Sequence, residues 1–232
     1  MSLDSQALIH ADSWLNAPID KADKLAIEAL KTHDPDGFNE SFYKLLEFGT
    51  GGMRGIMRLG SNGINRYTIG QATQGLANAL KGPDKLSVAI ACDCRINSQH
   101  FAETAANVLA ANGIDVYLFD SLRPTPLLSF ALREKGCDAG IVITASHNPK
   151  AYNGYKVYGK DGGQIVPPQD ADILQSVRNV TIGDILWSGG QGRIHRLGEA
   201  MDQVYINMLE SMQLTKARDL SVVFTSLHVT VI

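Results

Sequence analysis

The stretch TASHNPKAYNGYK, residues 144–156, brings Ser146, His147, Asn148, Asn153 and Lys156 into one short segment. It follows directly on Ala139-Gly140-Ile141-Val142-Ile143, an apolar run with the length and composition of a buried strand. A serine hydroxyl can act as a nucleophile or a phosphate carrier, and a histidine or lysine can move protons. Taken alone, the segment also fits an ordinary polar turn, because Ser, Asn, Pro and Gly are what turns use.

The elements around it decide what the segment can do. Ser98 is placed to cap a helix with an apolar face of Phe101, Ala105, Val108 and Leu109, ended by Gly113. A helix is expected over 71–80 and another over 125–135, with strands over 86–91, 114–119 and 137–143. Strands alternating with helices on short connections imply parallel neighbours and right-handed crossovers. Ligands of open parallel sheets bind beyond the carboxyl ends of the strands. Asp93 and Arg95 follow the first of these strands, Asp120 and Arg123 the second, and Thr144, Ser146, His147 and Asn148 the third. The opposite rim is fed by turn residues such as Gly82-Pro83-Asp84-Lys85, Asn112-Gly113 and Lys135-Gly136. This asymmetry assigns a candidate site to the rim at Ser146. Asp93 and Arg95 read in the first instance as a structural ion pair.

A second candidate lies upstream. The glycine-dense stretch 48–65 reads as a long loop, and Gly49-Thr50-Gly51-Gly52-Met53-Arg54-Gly55 within it could form a nest of backbone N–H groups, with Arg54 forking onto phosphate oxygens. A glycine-rich turn with one exposed arginine is the plain alternative. No Gly-Lys-Ser/Thr follows, so it is not a Walker loop. Ala145-Ser146-His147 lacks the flanking glycines of a nucleophile elbow, which counts against a serine hydrolase.

The 232 residues, 44% apolar and 19% charged with a formal net charge of −3, suffice for a packed core of one or two domains. That balance argues against nucleic acid as a partner and leaves small anions open. Cys92, Cys94 and Cys137 have no disulfide or zinc-ligand spacing and read as core thiols. No signal peptide and no membrane-length apolar run stand out, so a reducing, cytoplasmic setting without membrane contact is expected.

The remaining chain divides as follows. Residues 1–47 read as an amphipathic helical arm, with Asp34-Pro35-Asp36-Gly37 as a break within it. Residues 48–198 form the main domain. Within it, Tyr155–Tyr158 and Gln164–Val166 are expected to make a hairpin around Asp161-Gly162-Gly163, a helix is expected from Pro167 to Val177, and 183–198 read as a linker. Residues 199–232 read as the start of a second domain, with a helix over 198–214 and a strand opening over 220–225. The expected fold class is α/β, with a mixed, mainly parallel sheet, helices on both faces and the N-terminal helical arm.

TASHNPKAYNGYKVYGKDGGQI, residues 144–165, closely resembles the phosphoserine signature of the α-D-phosphohexomutases, the phosphoglucomutases and phosphomannomutases. FGTGGMRG, followed by Tyr67–Ala77, resembles the N-terminal part of the phosphoglucomutase branch that also holds phosphopentomutases. The resemblance implies a domain of the phosphoglucomutase domain I type. It implies that Ser146 carries a transferable phosphate, that His147 and Lys156 move the sugar hydroxyl proton, and that Arg54 sits near the phosphoserine. It further implies that Asp93 and Arg95 support the site. The implied reaction interconverts hexose 1-phosphate and 6-phosphate through a bisphosphate. Mg²⁺ is implied as cofactor with Ser146 among its ligands, glucose 1,6-bisphosphate as activator and a hexose phosphate as substrate. The family's magnesium, sugar-selecting and C-terminal phosphate loops have no counterpart here, so this chain alone is expected to be inactive as a mutase. A non-catalytic sugar-phosphate-binding module is the alternative.

Overall fold

Alternation along one strand organises the molecule. In β2 (Ser87–Cys92), Val88, Ile90 and Cys92 enter one core while Ala89 and Ala91 enter another, as the two-residue repeat of a strand buried on both faces requires. The structure is a computed structural model and describes residues 2–49, 51–80, 82, 85–168, 170–215, 217 and 219–225.

Besides β2, the strands are β1 (Gly52–Ile56), β3 (Asp115–Phe119), β4 (Ala139–Ile143), β5 (Tyr152–Gly159) and β6 (Ile194–Leu197). They form one sheet in the order β1-β5-β4-β2-β3-β6. β2 pairs in parallel with β3 and β4, and β3 with β6, whereas β5 is antiparallel to both β4 and β1. Only β5 therefore runs against the rest, and the mixed, mainly parallel sheet expected from the sequence is what forms.

Helices cover both faces. On one lie α4 (Arg66–Ala79), α5 (Ser98–Ala111) and α7 (Ala171–Asn179), which bury Ile69, Leu76, Phe101, Leu109 and Val177 against Ile90, Ile141 and Tyr155. On the other, α6 (Thr125–Glu134) and α8 (Glu199–Ser211) bring Leu128, Leu132 and Met201 onto Ala89, Ala91 and Val142. The small residues of β2 on that face let α6 approach closely. At roughly 25 cal/mol per Å² of apolar surface removed from water, these two layers supply most of the driving force for folding.

The arm consists of α1 (Ser5–Asn16), α2 (Lys21–His33) and α3 (Pro35–Phe42). Asp4 accepts from the N–H of Ala7 at 2.9 Å, and Asp34 accepts from the N–H of Gly37 at 2.9 Å. The expected break at Asp34–Gly37 is thus a helix start, with Pro35 in the first turn where its missing N–H costs nothing. Trp14 stacks edge-on against Phe42 at 5.8 Å and Tyr67 at 5.5 Å, which docks the arm on α4.

Several expectations change. The glycine-dense stretch is not only loop, because β1 lies within it and closes the sheet edge against β5. The supposed linker 183–198 contains β6, and a single 3-10 turn at Ile182–Asp184 overlaps its start. The hairpin is reduced to one bridge between Tyr158 and Gln164. Leu220–Thr225 carry no strand and are exposed; residues 226–232 and the Pro83-Asp84 turn fall outside the described residues. No helix among the described residues is long and apolar enough to cross a membrane.

The three cysteines split by environment. Cys92 and Cys137 are buried, and burial pushes each thiol up to about 11, whereas Cys94 is exposed, which corrects the reading of all three as core thiols. At pH 8 the buried pair holds about one thiolate per thousand. A thiol reagent at that pH is expected to add one adduct quickly, at Cys94, with the other two following only in denaturant. Intact-mass spectrometry checks this, and three fast adducts would contradict it.

Candidate functional site at the carboxyl edge of the sheet

β4 ends at Ile143, and the chain turns through 144–151 into β5. The N–H of Thr144 donates to the carbonyl of Gly154 at 3.0 Å, so the ladder carries on into the loop. Ser146 has φ of 54°, one of two non-glycine residues among those described with positive φ. That left-handed geometry costs of the order of 1 kcal/mol and persists only where the surroundings impose it.

The surroundings are a buried polar network centred on Asp93. Its Oδ1 accepts from the N–H of Arg95 at 3.0 Å and from Ser98 Oγ at 2.9 Å, and its Oδ2 accepts from Thr144 Oγ1 at 2.5 Å. Arg95 Nε lies 3.4 Å from Asp93 Oδ2, with side-chain exposures of 5% and 10%. The expected ion pair is present, but Arg95 does more. Its guanidinium donates to the carbonyl oxygens of Ser146, of Asn148 at 2.8 Å, and of Pro149 and Tyr152 at 3.1 Å each. One arginine thus fixes the course of the whole loop. From the far side, Asn153 Nδ2 donates to the Ile96 carbonyl and to Ser98 Oγ, both at 3.0 Å, while its Oδ1 accepts from the N–H of Gly154 at 2.8 Å.

Residues directly opposed in an antiparallel pair share a face, and every second residue returns to it. Arg54 opposes Gly154, and Lys156 opposes Gly52, so both cations lie on one face of the β1–β5 ribbon. Glycine is required between them and the loop. A Cβ on Gly154 would lie 2.6 Å from the Thr144 carbonyl oxygen, and one on Gly52 would lie 2.0 Å from that of Tyr155. Arg54 is exposed and donates from Nη1 to Asn148 Oδ1 at 3.3 Å, which links β1 to the serine loop. Beside them opens a cleft of about 360 Å³ whose lining includes Lys44, Gly51, Arg54, Thr144 and Lys156. The lining runs as far as Ala145, next to Ser146. His147 is exposed, with Nδ1 3.4 Å from Ser146 Oγ.

Of the residues that the sequence placed on the rim, Asp93, Arg95, Ser146 and His147 come together. Arg54 and Lys156, which the rim argument did not include, line the cleft beside their loop. Asp120 and Arg123 do not join them: Arg123 grips Asp202 of α8 with bonds of 2.7 and 2.6 Å, and these bonds raise the guanidinium above its ordinary value. The backbone nest is also overruled at Gly49 and Gly52, whose N–H groups are committed to each other's carbonyls at 2.8 and 3.0 Å. Three contributors have roles that the sequence did not show, among them Ser98, which was expected to cap α5 but follows its N-cap Asn97. Thr144 makes an ST turn onto Ser146, a signal present in the Thr-x-Ser spacing. Asn153 and Ser98 brace the loop through contacts between distant segments, which leave no local pattern.

Among the described residues no three His, Cys, Asp or Glu side chains converge on a common metal position. Magnesium takes about six oxygen ligands in near-octahedral geometry, and Ser146 offers one. The residues described do not by themselves fit a magnesium ion.

Residues 45–182 match the family profile described as phosphoglucomutase/phosphomannomutase, alpha/beta/alpha domain I. The chain is similar to the phosphoglucomutase of Staphylococcus haemolyticus strain JCSC1435, 39% identical over 227 residues, covering 94% of this chain and 40% of that protein. It is 41% identical over 198 residues to the phosphoglucomutase of Staphylococcus aureus strain USA300, covering 82% of this chain and 35% of that protein. Among solved structures, a putative phosphomannomutase from Thermus thermophilus superposes with a TM-score of 0.62 at 27% identity, covering 72% of this chain and 36% of that one. A phosphoglucomutase/phosphomannomutase family protein from Burkholderia thailandensis gives 0.54 at 27% identity, with 73% and 36% covered. The chain therefore spans well under half the length of the relatives it matches.

Proposed function

The chain belongs to the phosphoglucomutase/phosphomannomutase family, and from that premise we propose that a polypeptide of its relatives' length, carrying this domain, interconverts hexose 1-phosphate and 6-phosphate through a phosphate on Ser146. The names of the similar proteins favour glucose as the hexose. The observation that supports the reading best is the clamp by Arg95, which holds an exposed serine loop beside a cleft flanked by Arg54 and Lys156.

A phosphoserine bears a charge of about −1.5 to −2 at neutral pH. In transfer, the bond from phosphorus to Ser146 Oγ breaks as a bond to a sugar hydroxyl oxygen forms. The hydroxyl proton passes to a base, Lys156 or His147, and Ser146 Oγ is left to take up a proton. Charge spreads over the equatorial phosphoryl oxygens, so positioning and nearby cations carry most of the catalysis. Arg54 supplies one such cation. The bisphosphate then reorients and returns its other phosphate to Ser146, which completes the isomerisation. Mg²⁺ would lend further positive charge at phospho-Ser146, with carboxylate ligands from outside these residues. Glucose 1,6-bisphosphate would prime the serine as activator. The activity is assigned to the longer polypeptide in a cytoplasmic setting, and the 232-residue chain alone is expected to be inactive.

The test is direct. The complete polypeptide is incubated with glucose 1,6-bisphosphate labelled in its phosphates, digested and mapped. Label on the peptide containing Ser146, approaching one per chain, is expected. Label on another residue, or persistence of label in Ser146→Ala, would reject the assignment.

A further inference from the structure

Both peptide units that flank Ser146 are tethered to Asp93. On the carbonyl side the tether is Arg95, which donates to the Ser146 oxygen. On the N–H side it is Thr144, whose Oγ1 accepts from the N–H of Ser146 at 2.9 Å and donates to Asp93 Oδ2 at 2.5 Å. A hydroxyl has one proton. Because an ionised carboxylate only accepts, that proton points at Asp93 and the lone pairs are left for Ser146. The direction of the bond is therefore set by the carboxylate, and Thr144 is buried at 5% exposure, away from competing water. Ser146 at φ of 54° needs such a constraint, since a non-glycine residue does not hold that conformation unaided. With the Thr144 hydroxyl gone, Arg95 still holds the carbonyl of Ser146 while the N–H loses this acceptor, which loosens the aim of Oγ.

We propose that Thr144 is a positioning residue for phosphoryl transfer: its hydroxyl, polarised by Asp93, locks the Ser146 N–H and so aims Oγ, contributing to turnover and not to sugar-phosphate binding. The proposal rests on reading Ser146 as the phosphate carrier.

Two near-isosteres separate positioning from packing. Thr144→Val keeps the volume and loses the hydroxyl, whereas Thr144→Ser keeps the hydroxyl and loses the methyl group. A packing role predicts that the serine variant is the worse, and a positioning role predicts the reverse. The variants are compared in the complete polypeptide by kcat and KM for a hexose 1-phosphate and by the rapid-quench rate of Ser146 labelling from glucose 1,6-bisphosphate. Thr144→Val is expected to lower kcat and the labelling rate together by about 30- to 100-fold, the size of loss that small misplacements of a reacting group produce, with KM changed less than about threefold. Thr144→Ser is expected within about threefold of the parent. Near-parental turnover in Thr144→Val, an equal loss in Thr144→Ser, or a loss confined to KM would overturn the proposal. Absence of label from Ser146 in the unmodified protein would instead overturn the phosphoserine reading on which the proposal depends. Should the valine variant not fold, hydrogen exchange of the Ser146 amide in the 232-residue chain carries the test with Thr144→Ala. Protection in the parent and in Thr144→Ser, with exchange at least about tenfold faster in Thr144→Ala, supports the tether. A parent amide that exchanges as fast as the alanine variant's refutes it.

Discussion

Ser146→Ala is expected to lower hexose phosphate isomerisation by the complete polypeptide at least about 10⁴-fold, equivalent to ~5.5 kcal/mol of lost transition-state stabilisation. The reason is that the proposed reaction passes through the hydroxyl itself. No neighbouring group is placed to substitute, since His147 and Lys156 are proposed to move protons and the other hydroxyl of the loop, that of Thr144, is buried against Asp93. A coupled assay of glucose 1-phosphate turnover measures the loss. The same substitution is expected to leave stability nearly unchanged, because Ser146 is half-buried and its backbone contacts run through N–H and C=O, which alanine retains. Ser146→Gly sharpens the separation. Glycine tolerates φ of 54° without strain, and relief of about 0.4–1 kcal/mol would raise the melting temperature by about 1–4 °C, while activity falls as far as in the alanine variant. An alanine variant that kept turnover within tenfold would leave the domain as a sugar-phosphate-binding module, and the phosphoserine mechanism would have to be abandoned.

The contrast between backbone and hydroxyl also explains how much of the site could be read in advance. Ser146 and His147 stand directly after an unmistakable buried strand, so their position on the rim followed from the alternation of strands and helices, whereas Lys156, which lies inside β5, was pointed to only by the resemblance of residues 144–165. Asp93 and Arg95 were placed on the same rim by the same argument, but the task of Arg95 was not readable. Its acceptors are carbonyl oxygens of Ser146, Asn148, Pro149 and Tyr152, and every residue has a carbonyl. Arg123 shows the converse. It follows β3 as Arg95 follows β2, yet an aspartate on α8 captures it, and no pattern near Arg123 announces that partner. The two edge strands were missed for a common reason. β1 holds two glycines among its five residues and β6 has only four residues. Glycine has little strand propensity, and very short edge strands owe their form to a neighbour rather than to their own composition. For β1 that neighbour, β5, lies about a hundred residues away in the chain, as Gly52 pairing with Lys156 shows.

Arg95→Met is expected to be the most damaging single change to the fold of the site. Methionine keeps much of the apolar stem but removes every donor, so four loop carbonyls lose a partner at once. Asp93, at 7% exposure, is left as a buried carboxylate facing only hydroxyls and an N–H. Breaking a buried pair by removing one partner costs about 3–5 kcal/mol, a drop of roughly 6–20 °C in melting temperature for a chain of this size. Turnover of the complete polypeptide is expected to fall by about 10²-fold or more as the loop loses its course. Arg95→Lys should lie between, since an ammonium has three donors and no planar fork with which to reach four carbonyls. Two origins of the stability loss can be told apart with a double variant. Asp93→Asn alone weakens the network, but combined with Arg95→Met it removes the stranded charge, so the pair should be less destabilised than the sum of the single changes. Denaturant unfolding of the 232-residue chain measures all four. If the effects simply add, the cost lies in the unpartnered carbonyls rather than in the isolated carboxylate. If Arg95→Met unfolds at the parental midpoint, the clamp does not hold the loop, and the geometry assigned to Ser146 loses its support.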